Sequence, residues 1–313
     1  MTESLQGSLS LIDDIFGIDQ ILTDHEADIV VPYYKQSFIG YAEMYNRWQC
    51  MHVPLHNSGD TDEQGYFRQA EAVAEHLTGA AGQRVLELGC GLGANTRHLA
   101  ARFPDVNFIG IDLMAGHVKS ANKSAHDLAN ASFRCASFEA LPDDLGTFDV
   151  IFGVETLCYA ADPDRMAARV ASLLRPGGRV IVFDAHRKEN FDSFPEDVVK
   201  ATLLYEITTA VTRGFHTDGT WERAFTNAGL NIDVSDDITQ NTLIGLTSLN
   251  RRALKAYTAK KWRIALKVLP RYFARNTVAG LLGLYACFGD KDELNPEMGA
   301  VKYQKIVGRK QGA

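Results

Sequence analysis

The chain has only five cysteines, Cys50, Cys90, Cys135, Cys158 and Cys287, scattered over 313 residues. Such spacing gives no disulfide framework and suits a reducing compartment. Long apolar runs are missing too: the richest stretch, 278–288, is far shorter than the roughly 20 residues that a membrane span needs. The opening Met1-Thr-Glu-Ser-Leu lacks the basic region and apolar core of a secretory leader, so a cytoplasmic location with no membrane span is expected. Basic residues are outnumbered, and a formal net charge of −7 counts against a general nucleic-acid partner while leaving room for a local basic patch. Cys50, His52 and His56 have no fourth ligand at a finger-like spacing, so no metal site is expected. There is no internal repeat and no low-complexity tract.

What is present is an ordinary globular composition, 46% hydrophobic and 23% charged, long enough for one large domain or a domain with an elaborate insertion. The chain is arranged around residues 84–99, R-V-L-E-L-G-C-G-L-G-A-N-T-R-H-L. The apolar run 85–88 reads as a buried parallel strand. Gly89, Gly91 and Gly93 follow at alternate positions, then a helical pattern carrying Thr96, Leu99, Ala100 and Phe103. A strand, a glycine turn and a helix make a place where a ligand lies against bare backbone. Gly89-x-Gly91-x-x-Ala94 also satisfies the relaxed dinucleotide fingerprint, with Asp112 at about the right distance for a ribose.

The surroundings separate these readings. Glu87 precedes the first glycine by two residues, Asp112 ends the strand Phe108-Ile-Gly-Ile-Asp112, and Leu173-Leu-Arg-Pro-Gly-Gly178 leads into Arg179-Val-Ile-Val-Phe-Asp184. In this order the motifs resemble the S-adenosylmethionine-dependent methyltransferases of Rossmann-like fold, over roughly residues 45–184 and again at the C-terminus. The resemblance implies an α/β fold: a seven-stranded Rossmann-like sheet flanked by helices, with an N-terminal helical cover and a helical lid insertion. The expected divisions are a cover over 1–63, a cofactor-binding core over 64–238, a lid over 239–290 above the acceptor pocket, and a C-terminal strand within 291–313. Strands are expected at 85–88, 107–112, 132–135, 148–153, 179–184, 231–235 and 299–308. Helices are expected at 64–77, 114–128, 195–213 and 221–230, with another starting at Asp162-Pro163.

The resemblance implies S-adenosylmethionine as cofactor, held by Glu87, Gly89, Gly91, Gly93, Asp112, Leu113, Ser137, Phe138 and Val154. Asp112 is placed on the ribose hydroxyls, since a carboxylate accepts from both. The family usually has an acid where Ser137 stands, facing the adenine amino group; Phe138 is placed against the adenine face. The segment Tyr45-Asn-Arg-Trp-Gln-Cys-Met-His52 looks like the lead-in of sterol and other small-molecule methyltransferases, which closes over the cofactor, and Tyr45, Trp48 and His52 are expected to bind substrate. An amphipathic helix packing its aromatics on the core explains many of these rings equally well.

Methyl transfer by in-line displacement needs alignment in a dry pocket rather than a nucleophilic residue. Oxygen and nitrogen acceptors can need a general base, and an olefinic carbon leaves a cation to stabilise and deprotonate. Val154-Glu-Thr-Leu-Cys-Tyr159 resembles the segment in sterol and prenyl-diphosphate methyltransferases where a glutamate faces that cation. Glu155 therefore takes the catalytic role, with Tyr159 as a cation–π neighbour and His186 as a candidate base; a structural carboxylate and a surface histidine are the alternatives. Between Arg251 and Arg275 stand nine Lys or Arg residues, and no Asp or Glu occurs from Ile238 to Gly289. A solvated helix face, a membrane-surface contact and a site for an anionic substrate compete for this stretch. The third reading makes Arg251, Arg252, Lys260, Lys261, Arg271 and Arg275 substrate-binding, with Mg2+ entering only alongside a diphosphate. C-methylation of an isoprenoid olefin, prenyl diphosphate before sterol, is the expected reaction. O-methylation of a quinol or polyketide stands next, and a non-catalytic cofactor-binding module or an NAD-binding protein is the alternative from another class. The partner is expected to be a hydrophobic small molecule, anionic where it is a diphosphate, with self-association left open.

Overall fold

The computed structural model describes residues 3–23, 29–290 and 294–312. Its sheet has seven strands: β1 (Arg84–Leu88), β2 (Asn107–Asp112), β3 (Ala131–Cys135), β4 (Phe148–Val154), β5 (Leu174–Arg187), β6 (Leu230–Asp237) and β7 (Val301–Lys310). They lie in the order β3-β2-β1-β4-β5-β7-β6, with β1 to β5 parallel and β6 antiparallel to β7. This is the sheet that the motifs implied. β1 and β4 are buried along nearly their whole length, as strands covered on both faces must be, and their apolar runs follow from that. Chain order reverses between β1 and β4, so their paired ends, Leu88 opposite Gly153, border the crevice where open α/β sheets take ligands.

Two compact units divide the chain: Tyr41–Asp184, Gly219–Asp237 and Gln304–Ala313 form one, and Met1–Gly40, Ala185–Asp218 and Ile238–Tyr303 the other. In the first, α4 (Asp62–Ala74), α5 (Ala94–Arg102), α6 (Ala115–Ser124), α7 (Pro163–Leu173) and α9 (Thr220–Asn227) accompany the sheet. Helix α4 starts before the expected position because Thr61 and Gln64 form a reciprocal capping box. Helix α7 starts where expected, the Asp162 side chain accepting from the Arg165 N–H with Pro163 in the first turn. Strand β5 begins well ahead of residue 179: Leu174 already pairs with Phe148, and regular pairing resumes at Arg179 opposite Val150 after a register shift. The core of this unit gathers Leu86, Ile111, Phe148, Ile151, Val170, Val180, Trp221 and Phe225.

The other unit is helical: α1 (Leu5–Phe16), α2 (Ile18–Thr23), α3 (Val30–Ile39), α8 (Glu196–Thr208), α10 (Thr239–Thr258), α11 (Lys260–Leu266) and α12 (Arg271–Phe288). Leu281, Leu282, Leu284, Tyr285 and Phe288 of α12 are fully buried, and α12 packs on α8 and α10. The stretch 239–290 is thus the middle of a helical core shared with Leu5, Leu9, Ile12, Ala201 and Leu204, rather than a separate flap. The division also runs through the expected cover, since 1–40 and 41–63 fall in different units, and α8 leaves the expected 64–238 core. Residues 24–28 and 291–293, parts of the expected cover and of the last segment, lie outside the described residues.

Candidate active site

The glycine turn is packed closely by its neighbours. Gly89 and Gly91 have φ of +63° and +53°, a region that favours residues without a Cβ. A Cβ on Gly89 would stand 2.2 Å from the Thr156 hydroxyl oxygen, and one on Gly91 2.6 Å from Met51 Sδ. Asp112 fastens the turn from the side: its Oδ2 accepts from the Gly91 N–H at 2.9 Å and its Oδ1 from the Met114 N–H at 2.8 Å, with His117 Nδ1 3.2 Å from Oδ1. A carboxylate has about four acceptor positions, so these three contacts leave about one for a hydroxyl group at the rim. Leu113 beside it is 48% exposed, an apolar side chain offered to whatever lies there. β2 and β3 remain paired to Asp112 and Cys135, which delivers Ser137 and Phe138 to the same sheet edge. Ser137 already accepts from the Glu139 N–H at 3.2 Å as the cap of a short 3-10 turn, and Phe138 is half-buried against the core.

Glu87 works beneath the turn. Its Oε2 accepts from the Thr96 N–H and hydroxyl at 3.1 and 2.5 Å, and its Oε1 from the Asn95 amide at 3.2 Å, tying β1 to the start of α5. Burial outweighs these bonds and lifts its carboxyl to about 7.

At the end of β4 the backbone of Glu155 turns left-handed, φ +49°, while Val154 before it is buried. The Glu155 N–H continues the β4–β5 ladder to the Phe183 carbonyl at 2.8 Å. Asp184, fully buried, accepts from the Thr156 and Cys158 N–H groups at 3.1 and 3.0 Å and so fixes the turn that follows. Strain in a polar residue at this edge is typical of functional positions. Half-buried Glu155 accepts the Val53 N–H through Oε1 at 2.8 Å, and half-buried Tyr159 closes the next 3-10 turn.

The lead-in segment meets this corner. Tyr45 and Trp48 pack on Tyr66 of α4, at centroid distances of 6.2 and 5.4 Å, and the Tyr45 hydroxyl donates to the His52 carbonyl at 3.4 Å. His52 is buried, its Nδ1 3.3 Å from the Val53 carbonyl and its Nε2 3.4 Å from Asn95 Oδ1. Burial lowers its pKa, so the ring is neutral and its single N–H serves one of these two oxygens. The neutral ring thus bonds either the Val53 carbonyl or Asn95, so the contacts Glu155–Val53 and Asn95–Glu87 flank His52 without forming one continuous hydrogen-bonded chain. Asn95, Thr96, Thr156 and Asp184 were not singled out as site residues by sequence; their roles come from hydrogen bonds that no spacing rule announces.

The other expected residues lie in the helical unit. His186 is fully buried, not the surface histidine that was its alternative. Arg251, Arg252, Lys260, Lys261 and Arg271 are exposed, whereas Arg275 is buried. Burial and neighbouring Arg271 lower the Arg275 guanidinium to about 10. Among the described residues, no group of three or more His, Cys, Asp or Glu is placed to hold a metal ion.

Residues 85–178, from β1 to the end of the Gly177-Gly178 turn, match the family model described as a methyltransferase domain. The chain carries a methyltransferase domain. Relatives of this domain include the sterol 24-C-methyltransferase of Saccharomyces cerevisiae, 26% identical over 51% of this chain and 42% of that protein. The ubiquinone biosynthesis O-methyltransferase of Coxiella burnetii is 30% identical over 40% of this chain and 53% of that protein. The chain thus spans about half the length of these curated relatives. Among solved structures, the geranyl diphosphate C-methyltransferase of Streptomyces coelicolor superposes with a TM-score of 0.58 at 16% identity, over 90% of this chain and 99% of that one. At such identity the likeness is one of fold.

Proposed function

We propose that the chain transfers a methyl group from S-adenosylmethionine to a hydrophobic small molecule, at an olefinic carbon of an isoprenoid. The glycine turn without room for a Cβ, the acceptor capacity left on Asp112 and exposed Leu113 fit such a cofactor. Gly89, Gly91 and Gly93 give it bare backbone, Asp112 its ribose contact, and Leu113, Ser137, Phe138 and Val154 the surroundings of its base. Glu87 contributes by holding the turn in place. The cofactor supplies an electrophilic methyl on a sulfonium, and the chain's residues do the rest.

The observation that carries the choice of carbon is Glu155: a carboxylate held in a strained backbone at the crevice edge, with one oxygen tied to Val53. Once methyl adds to a double bond, the neighbouring carbon is left cationic. A carboxylate about 4 Å away, at an effective dielectric near 20, stabilises that charge by on the order of 4 kcal/mol. On this reading it also takes the proton whose loss restores a double bond, with Tyr159 adding its ring face. The sterol relative supports a carbon acceptor, and the ubiquinone relative supports an oxygen acceptor as second reading. For a prenyl diphosphate, the basic stretch between Arg251 and Arg275, which holds no Asp or Glu, is the candidate partner of its charge. Mg2+ would enter only with such a substrate.

The test is mass spectrometry of products formed from methyl-labelled cofactor and a panel of prenyl diphosphates, sterols and quinols. Label on carbon supports the reading, and label only on oxygen sinks it. Glu155→Gln keeps the shape and removes the charge, so turnover should fall up to about a thousandfold while cofactor affinity is retained. Normal turnover by that variant would remove Glu155 from the chemistry.

A further inference from the structure

The nine cations between Arg251 and Arg275 do not share one environment. Arg275 is buried and Arg263 lies 3.6 Å from Asp14 of α1, while Arg251, Arg252, Lys255, Lys260, Lys261, Lys267 and Arg271 are exposed. In α11 and the turn after it, large apolar side chains share that exposure: Trp262 at 46%, Ile264 at 58% and Val268 at 78%. The turn continues the helix, with the Lys267 and Val268 N–H groups donating to the Ile264 and Ala265 carbonyls. Ile264 and Val268, four residues apart, share one face, on the side away from buried Leu266. By the same helical spacing Lys260, Lys261 and Lys267 border that face.

A helix face that only meets water carries charge outward and apolar residues inward. Here an isoleucine and a valine stand outward among lysines, inside a stretch with no acid from Ile238 to Gly289. An acidic protein would match the lysines and leave the apolar pair unexplained. An anionic lipid surface matches both, headgroup phosphates meeting ammonium groups while the apolar side chains enter the acyl boundary. The remainder of the chain is strongly acidic, so a negatively charged bilayer is attracted at this region and repelled elsewhere. No helix among the described residues is long and apolar enough to cross a membrane, which makes this a surface contact.

We propose that residues 260–268 are a docking element for an anionic phospholipid bilayer, with Ile264 and Val268 inserting and Lys260, Lys261 and Lys267 on the headgroups. The inference rests on exposure and charge alone and is independent of the methylated substrate.

Flotation of the full chain with vesicles of phosphatidylcholine, alone or mixed with phosphatidylglycerol, tests it. Binding is expected to the mixed vesicles only, and to weaken with added salt. Each lysine near an anionic surface changes affinity about fivefold, so Lys260→Gln with Lys267→Gln should lower binding by about 25-fold. Ile264→Ser with Val268→Ser leaves the charge intact and should lower it at least tenfold. Unaltered thermal unfolding of both double variants keeps the comparison clean, since all four side chains are exposed. Absence of wild-type binding to the mixed vesicles, or full binding by the serine variant, overturns the proposal. So does self-association that the serine variant abolishes, because a second copy would then be what covers the face.

Discussion

Asp112 is suited to connect the glycine turn to whatever binds above it, because one carboxylate orients the Gly91 and Met114 N–H groups, meets His117 and keeps about one acceptor position. Replacing it with alanine removes charge-assisted bonds from the turn and, on the proposed assignment, from the cofactor as well. Asp112→Ala should therefore weaken S-adenosylmethionine binding in calorimetry by about 1.5–3 kcal/mol. Unchanged affinity would refute the assignment. Glu155 is bound differently: its backbone is set by the ladder to Phe183 and by Asp184 holding the next turn, and a glutamine in its place keeps an oxygen for the Val53 N–H. That is why Glu155→Gln separates chemistry from binding.

Among the elements, β5 and α8 carry a junction that the sequence motifs do not reveal. Arg187 at the end of β5 forms a forked pair with Glu206 of α8, at 2.7 and 2.5 Å, and Glu206 also accepts the Phe215 N–H at 2.9 Å. Glu206 is almost fully buried, and burial raises its pKa against the pull of Arg187. Removing one partner of such a pair leaves the other charge with no compensation in the interior. Glu206→Ala should cost about 3 kcal/mol in urea unfolding, and substantially more than Lys200→Ala, whose partner Glu196 stands in solvent on the same helix.

For the whole molecule, Glu87 makes stability depend on pH. Its carboxyl rises from an ordinary 4.5 to about 7 because it is buried, with Asp112 adding a smaller push in the same direction. Between these values the folded chain holds a proton that the unfolded chain has lost, so stability falls as pH climbs, and the loss is complete above about 7. The shift corresponds to about 3 kcal/mol. Urea unfolding from about pH 5 to about pH 8 should show the wild type losing this much more than Glu87→Gln, which cannot titrate. Equal slopes for the two proteins would place the carboxyl back in its normal range.

The sequence by itself determined the sheet and the glycine turn. Buried parallel strands need apolar runs, a close turn needs glycine, and a strand ending in Asp beside it needs only local order, so 85–88, Gly89, Gly91, Gly93 and Asp112 are legible one segment at a time. Helix α7 is legible for the same reason, its Asp162 cap and Pro163 lying next to each other in the chain. What joins residues far apart in sequence was decided only in three dimensions. Asp184 holding Thr156, Val53 donating to Glu155, and His52 meeting Asn95 are polar contacts between segments with no shared period. The stretch 239–290 shows the same limit at larger scale. Its amphipathic pattern says that one face will be buried, and the fold alone put α12 at the centre of a helical core while leaving Ile264 and Val268 in water. A periodic pattern specifies that a face seeks cover, and which element supplies the cover depends on chain packed from elsewhere.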